Sequence, residues 1–107
     1  MKACFRKSVM VFDRDPGMLL KCDLLLKKKG YDVYVSTHTD DIVGQVREHE
    51  PDIILMNAAM PGDAADAILK IKMCEPLRMI PVIRFSAKAH TEETAVHAVE
   101  AATRMSA

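Results

Sequence analysis

The chain is poor in the residues that signal the commoner kinds of chemistry. It holds three cysteines among 107 residues, Cys4, Cys22 and Cys74. That odd number, without CxxC spacing, excludes a disulfide framework and a zinc knuckle. Its four histidines, His38, His49, His90 and His97, are not spaced like HxxxH or a paired Cys/His site, so no metal centre is expected from them. Glycine is scarce, at 4 residues, and neither GxGxxG nor a P-loop occurs, which argues against a nucleotide-binding enzyme. No apolar run approaches the roughly 20 residues of a membrane span. The start Met1-Lys2-Ala3-Cys4 lacks the apolar stretch of a signal peptide, so a cytoplasmic protein without membrane contact is expected. Charge of neither sign is in excess: 15 basic and 15 acidic residues give a formal net charge of zero. The longest basic run, Lys27-Lys28-Lys29, falls at the end of an expected helix, where cations favour the helix dipole; nucleic acid is therefore not the expected partner.

What is present is a core. Half of the residues are apolar, and a chain of this size buries roughly two thirds of its unfolded surface, enough for one domain over residues 1–107. Ser8 to Phe12 reads as a strand, followed at once by Asp13-Arg14-Asp15-Pro16. Asp15 suits a helix N-cap and Pro16 its first turn. Met18, Leu19, Cys22, Leu25 and Leu26 follow at helical spacing until Gly30. The pattern recurs three times. Tyr31 to Thr37 is a strand, and its helix begins near Thr39 with Asp40 and Asp41 in the first turn and Ile42, Val43 and Val46 inward. Asp52 to Asn57 is a nearly continuous apolar strand, of the kind covered on both faces. The loop from Ala58 to Gly62 leads to Asp63 as a cap, then Ala64, Ala67, Ile68 and Ile71 on one helical face, ended by Glu75-Pro76. Ile80 to Phe85 is a fourth strand, and Thr91 opens a helix carrying Ala95, Val96, Ala98, Val99 and Ala102. Met10, Met18, Met56 and Met73, with Cys22 and Cys74, fall in these patterns and are expected to pack.

Strands alternating with helices imply a doubly wound parallel α/β sheet. The right-handed crossover rule leaves few topologies, among them the flavodoxin-like order 2-1-3-4. In that order a ligand crevice lies beyond the carboxyl ends of strands one and three. Asp13, Arg14 and Asp15, Asn57 to Ala59, and Ser86 to Lys88 would line it.

At these residues the chain resembles the receiver domain of two-component response regulators, a CheY-like fold. From Ser8 to about Thr103 the order follows that family: apolar strand, acidic turn and Pro16; KKKGYDV; EPDIILMN with MPG downstream; IPVIRFSAKA; then AVEAA. The resemblance implies a phosphotransfer site in which two acids after strand one bind Mg²⁺ and an aspartate after strand three accepts a phosphoryl group from a histidine kinase. A hydroxyl after strand four and a lysine after strand five would complete it. Asp13 matches the first acid and Ser86 the hydroxyl, but Arg14 stands at the second acid and Asn57 at the phosphoacceptor. A carboxamide has no anionic oxygen to attack phosphorus. Asp13, Arg14 and Asn57 sum to zero charge where the family's set carries −3. A guanidinium about 5 Å from Mg²⁺ would be repelled by roughly 6–7 kcal/mol at an effective dielectric of 20. Mg²⁺ binding is thus expected to be weak or absent unless Arg14 turns outward or Asp15 replaces the lost acid.

Several readings stay open here. Arg14 points into solvent or pairs with Asp13 or Asp15; Asp15 is a cap or a ligand; Ser86 bonds the nearby backbone or serves the pocket with Ala59. Lys88 is solvated or substitutes for the absent lysine. No fifth strand is found before the sequence stops at Ala107, so strand four would be a sheet edge with Arg84 as its partner-facing charge. Either it pairs with a second copy through strand four and helix four, or the sequence lacks a C-terminal portion. The expected function is a degenerate pseudo-receiver, not an enzyme, that acts by contact with a histidine kinase, an output domain or another regulator. The alternative is a working phospho-receiver in which Asn57 replaces a natural aspartate or the acceptor has moved to Asp13 or Asp15. A small flavodoxin-like enzyme or nucleotide binder is the third.

Overall fold

A computed structural model of the chain describes residues 7–58, 60, 64–86 and 92–105. Four parallel strands, β1 (Ser8–Phe12), β2 (Asp32–Ser36), β3 (Ile53–Asn57) and β4 (Val82–Phe85), form one sheet in the order β2-β1-β3-β4. This is the CheY-like arrangement that the resemblance to the receiver family implied. The helices are α1 (Pro16–Lys28), α2 (Ile42–His49), α3 (Ala64–Lys72) and α4 (Glu92–Met105), with a 3-10 turn at Leu77–Met79 before β4.

Period-two alternation divides the apolar side chains between two cores. Val9, Val11, Ile53, Leu55 and Phe85 face α1 and α4, where they meet Leu19, Cys22, Leu26, Ala95, Val96 and Val99. Met10, Phe12, Ile54 and Met56 face α2 and α3, against Ile42, Val46, Ala64, Ala67 and Ile71. β1 and β3 are buried along their whole length, as runs without polar interruption require when both faces are covered. Ile68, Val43, Ala98 and Ala102 are only half-buried, at the margins of their stripes.

The punctuation of α1 is as read. Asp15 is its N-cap, with Oδ1 accepting from the Gly17 amide at 2.9 Å, and Pro16 takes the first helical position. Asp15→Ala removes that acceptor and is expected to cost about 1 kcal/mol in urea denaturation. Lys27 and Lys28 lie in the last turn, Lys27 pairing with Asp23 at 3.1 Å, and Gly30 supplies the positive φ that leaves the helix.

Four details differ from the sequence reading. Asp40 and Asp41 precede α2 rather than lying in its first turn: Asp41 is the N-cap, in the left-handed region, with Oδ1 accepting from the Gly44 amide. Gln45 Nε2 holds the preceding loop by donating to the carbonyls of His38 and Asp40. Met73 and Cys74 lie past the end of α3; Met73 is 77% exposed, and Cys74 Sγ accepts from Arg47 Nη2 at 3.0 Å. β4 starts at Val82, because the 3-10 turn and Pro81 occupy the residues before it and Lys72 Nζ binds the Arg78 and Ile80 carbonyls there. Asp52 stands before β3, its carboxylate accepting from the Ser8 amide at 2.7 Å. The caps expected at Asp63 and Thr91 lie outside the described residues.

α4 packs on the face of α1, with Lys29 Nζ 3.7 Å from Glu100 Oε1.

Candidate functional site

The pairing Phe12↔Met56 brings the next residues of β1 and β3, Asp13 and Asn57, side by side at the carboxyl end of the sheet. This is the switch point, since β1 leads to its neighbour β2 on one side and β3 to β4 on the other. Asp13 is 1% exposed and Asn57 6%. Asn57 Nδ2 donates to Asp13 Oδ2 at 3.0 Å. A carboxylate only accepts, so it is the amide nitrogen that faces it. The other carboxylate oxygen, Oδ1, accepts from the Asp15 amide at 2.9 Å. Asp13 thus folds the turn that starts α1 and also ties β1 to β3. Among the described residues no buried side-chain nitrogen or oxygen lacks a partner.

The backbone around the pair is equally committed. The Asp13 amide donates to the Ser36 carbonyl at 3.1 Å, the Ala58 amide to the Phe85 carbonyl at 2.7 Å, and the Met60 amide to the Asn57 carbonyl at 3.2 Å. Ser36, Phe85 and the buried Met60 were not among the expected site residues. Ser36 closes strand two, a position with no chemical motif of its own, and the other two contribute through main chain and burial.

Of the expected residues, Asp13 and Asn57 are brought into contact. Arg14 is exposed and forms no ion pair among the described residues. Asp15 is exposed and serves as the cap. Ser86 is half-buried directly after β4, and Arg84 is exposed on β4. Ala59 and Lys88 lie outside the described residues. Among those described, no three His, Cys, Asp or Glu residues are grouped to hold a metal ion, and no helix is long and apolar enough to cross a membrane.

A four-stranded doubly wound sheet with a polar pair at its switch point defines a flavodoxin-like α/β protein. Residues 9–105 match the family model of the response regulator receiver domain, and the chain belongs to that family. It is similar to the N-terminal domain of a response regulator receiver protein from Methanoculleus marisnigri, at 25% identity and a TM-score of 0.71 over 84% of this chain and 74% of that one. The chemotaxis response regulator CheY4 of Vibrio cholerae gives a TM-score of 0.77 at 13% identity, over 89% and 97% of the two chains. A response regulator from Chloroflexus aurantiacus gives 0.77 at 14%, over 89% and 95%. The protein is a receiver domain of signal transduction, a class of module that works with histidine kinases and output domains and is in general not enzymatic.

Proposed function

We propose that this receiver is a pseudo-receiver: one domain over residues 8–103 that is not phosphorylated and signals by protein–protein contact. The observation that carries this reading is the direct hydrogen bond from Asn57 Nδ2 to Asp13 Oδ2. Where phosphotransfer needs an anionic nucleophile and a cation beside it, this pocket joins an amide to the carboxylate and uses the second carboxylate oxygen to hold the Asp15 amide. The residues present do not fit Mg²⁺. A hard dication takes several oxygen ligands, and the pocket offers one buried carboxylate, already bonded at both oxygens, with the amide turning its N–H side toward it. The side chain of Arg14 adds positive charge beside the crevice. Its partners are accordingly other signalling proteins, which would read one standing conformation.

Incubating the chain with acetyl phosphate and Mg²⁺ is expected to leave its intact mass unchanged, and millimolar Mg²⁺ is expected not to move the Asp13 and Asn57 amide resonances. A base-labile phosphoryl adduct at Asp13 or Asp15 would overturn the reading in favour of a relocated acceptor.

A further inference from the structure

Among the described residues β4 pairs with a strand on one side only, that of β3. The Pro81 and Phe85 carbonyls point toward β3, where they accept from the Ile54 and Ala58 amides. By alternation along the strand, the N–H and C=O groups of Val82 and Arg84 point to the opposite, outer side. Among the described residues no strand pairs there. Val82 and Ile83 are half-buried and Arg84 is exposed, so the edge offers two donors, two acceptors, apolar surface on both faces and one cation.

The placement of α4 shows why this chain does not readily cover that edge by continuing outward. β1-α1-β2 runs one way across the sheet with α1 on one face, and β3-α3-β4 runs the other way with α3 on the opposite face, both right-handed. A further parallel strand beside β4 would need its connecting helix on the α3 face. α4 lies on the α1 face, and a left-handed connection occurs in only about 2% of cases.

We propose that the outer edge of β4 is a docking strand for an extended, acidic segment of a partner protein, which adds to the sheet as a fifth strand. The charge pattern selects this occupant over a second copy. From Leu77 to Thr91 the sequence carries Arg78, Arg84 and Lys88 and not one Asp or Glu. Arg78 is met by Glu75 at 2.8 Å, which leaves Arg84 as the cation on the strand itself, without an ion pair among the described residues. Two β4 strands paired antiparallel would bring two Arg84 side chains close together on one face, and like charges across strands repel. A partner strand with a carboxylate opposite Arg84 and apolar residues on the alternate face, toward Ile83, satisfies every group that the edge presents.

The inference is independent of the pocket, whose test is read by mass. Its own test uses the capped peptide Thr-Val-Glu-Val-Thr and the same peptide with lysine at the centre, added to the ¹⁵N-labelled chain. In the free chain the Val82 and Arg84 amides are expected to exchange quickly and those of Ile83 and Phe85 slowly. The glutamate peptide is expected to shift and protect Val82 and Arg84, binding about tenfold more tightly than the lysine peptide, and Arg84→Glu to reverse that order. Protection of Val82 and Arg84 without peptide overturns the proposal; if it rises with protein concentration, the occupant is a second copy. Equal binding of the two peptides, or no binding of either, overturns it as well.

Discussion

Asn57→Asp is expected to lower stability by about 2–4 kcal/mol at neutral pH, even though it restores the residue that phosphotransfer requires. The change replaces a buried donor, 3.0 Å from Asp13 Oδ2, by a second carboxylate. Two carboxylates at that distance cannot both ionise cheaply, so the folded variant retains a proton that the unfolded chain releases near pH 4. The raised folded-state pKa fixes the sign. The penalty is small below about pH 4, where the proton is present in both states, and grows as pH rises and the unfolded chain alone gives it up. Urea denaturation of parent and variant at pH 4 and pH 7 measures this directly; equal stability at pH 7 would mean that the Asp13–Asn57 bond is not what holds the pocket. Arg14 separates the next step. With Mg²⁺ and acetyl phosphate, the Asn57→Asp variant is expected to stay unmodified, whereas Arg14→Asp combined with Asn57→Asp is expected to gain one phosphoryl group, because only the double change assembles three acids around the ion.

Leu26→Ala is expected to cost about 2–5 kcal/mol, a large part of the roughly 5–15 kcal/mol that a domain of this kind has to lose. Leu26 is 0% exposed in the core between α1 and α4, and its truncation leaves a cavity that Leu19, Cys22 and Val99 cannot fill without moving. Leu24, two residues earlier on the same helix, is 60% exposed. Leu24→Ala is expected to stay within about 0.5 kcal/mol of the parent. The pair removes the same atoms from the same helix, so a difference in urea midpoint without a change in slope isolates burial as the cause.

These two leucines also mark how far the sequence could be read. Helical spacing put Leu26 inward, and the Asp15-Pro16 start and the Gly30 stop bounded α1 closely, because capping and positive φ are local demands met by particular residue types. Alternation and handedness left the order 2-1-3-4 as one of a few, the resemblance to the receiver family selected it, and that order brings Asp13 and Asn57 to one crevice. The bond between them was not read. Arg14 was weighed as a salt-bridge partner for Asp13 or Asp15, but it is exposed, and the residue across the ladder, Asn57, is the one that bonds the Asp13 carboxylate. The site of α4 was illegible for a related reason. Ala95, Val96 and Val99 show which side of the helix is buried. Both faces of β3 and β4 offer apolar surface, so the stripe does not say which face receives it. Asp41 escaped because a non-glycine residue with positive φ has no sequence mark.

The contact of α4 with α1 sets an order for folding. Among the described residues, the core beneath α2 and α3 is made of residues between Met10 and Val82, and its strands and helices follow one another closely along the chain. The core beneath α1 is sealed by Ala95, Val96 and Val99, some seventy residues beyond the helix they cover. Closing so long a loop is slow relative to the local βα units. During synthesis, the side of Leu19, Cys22 and Leu26 that meets α4 therefore stays open to solvent, or to a chaperone, until α4 has emerged.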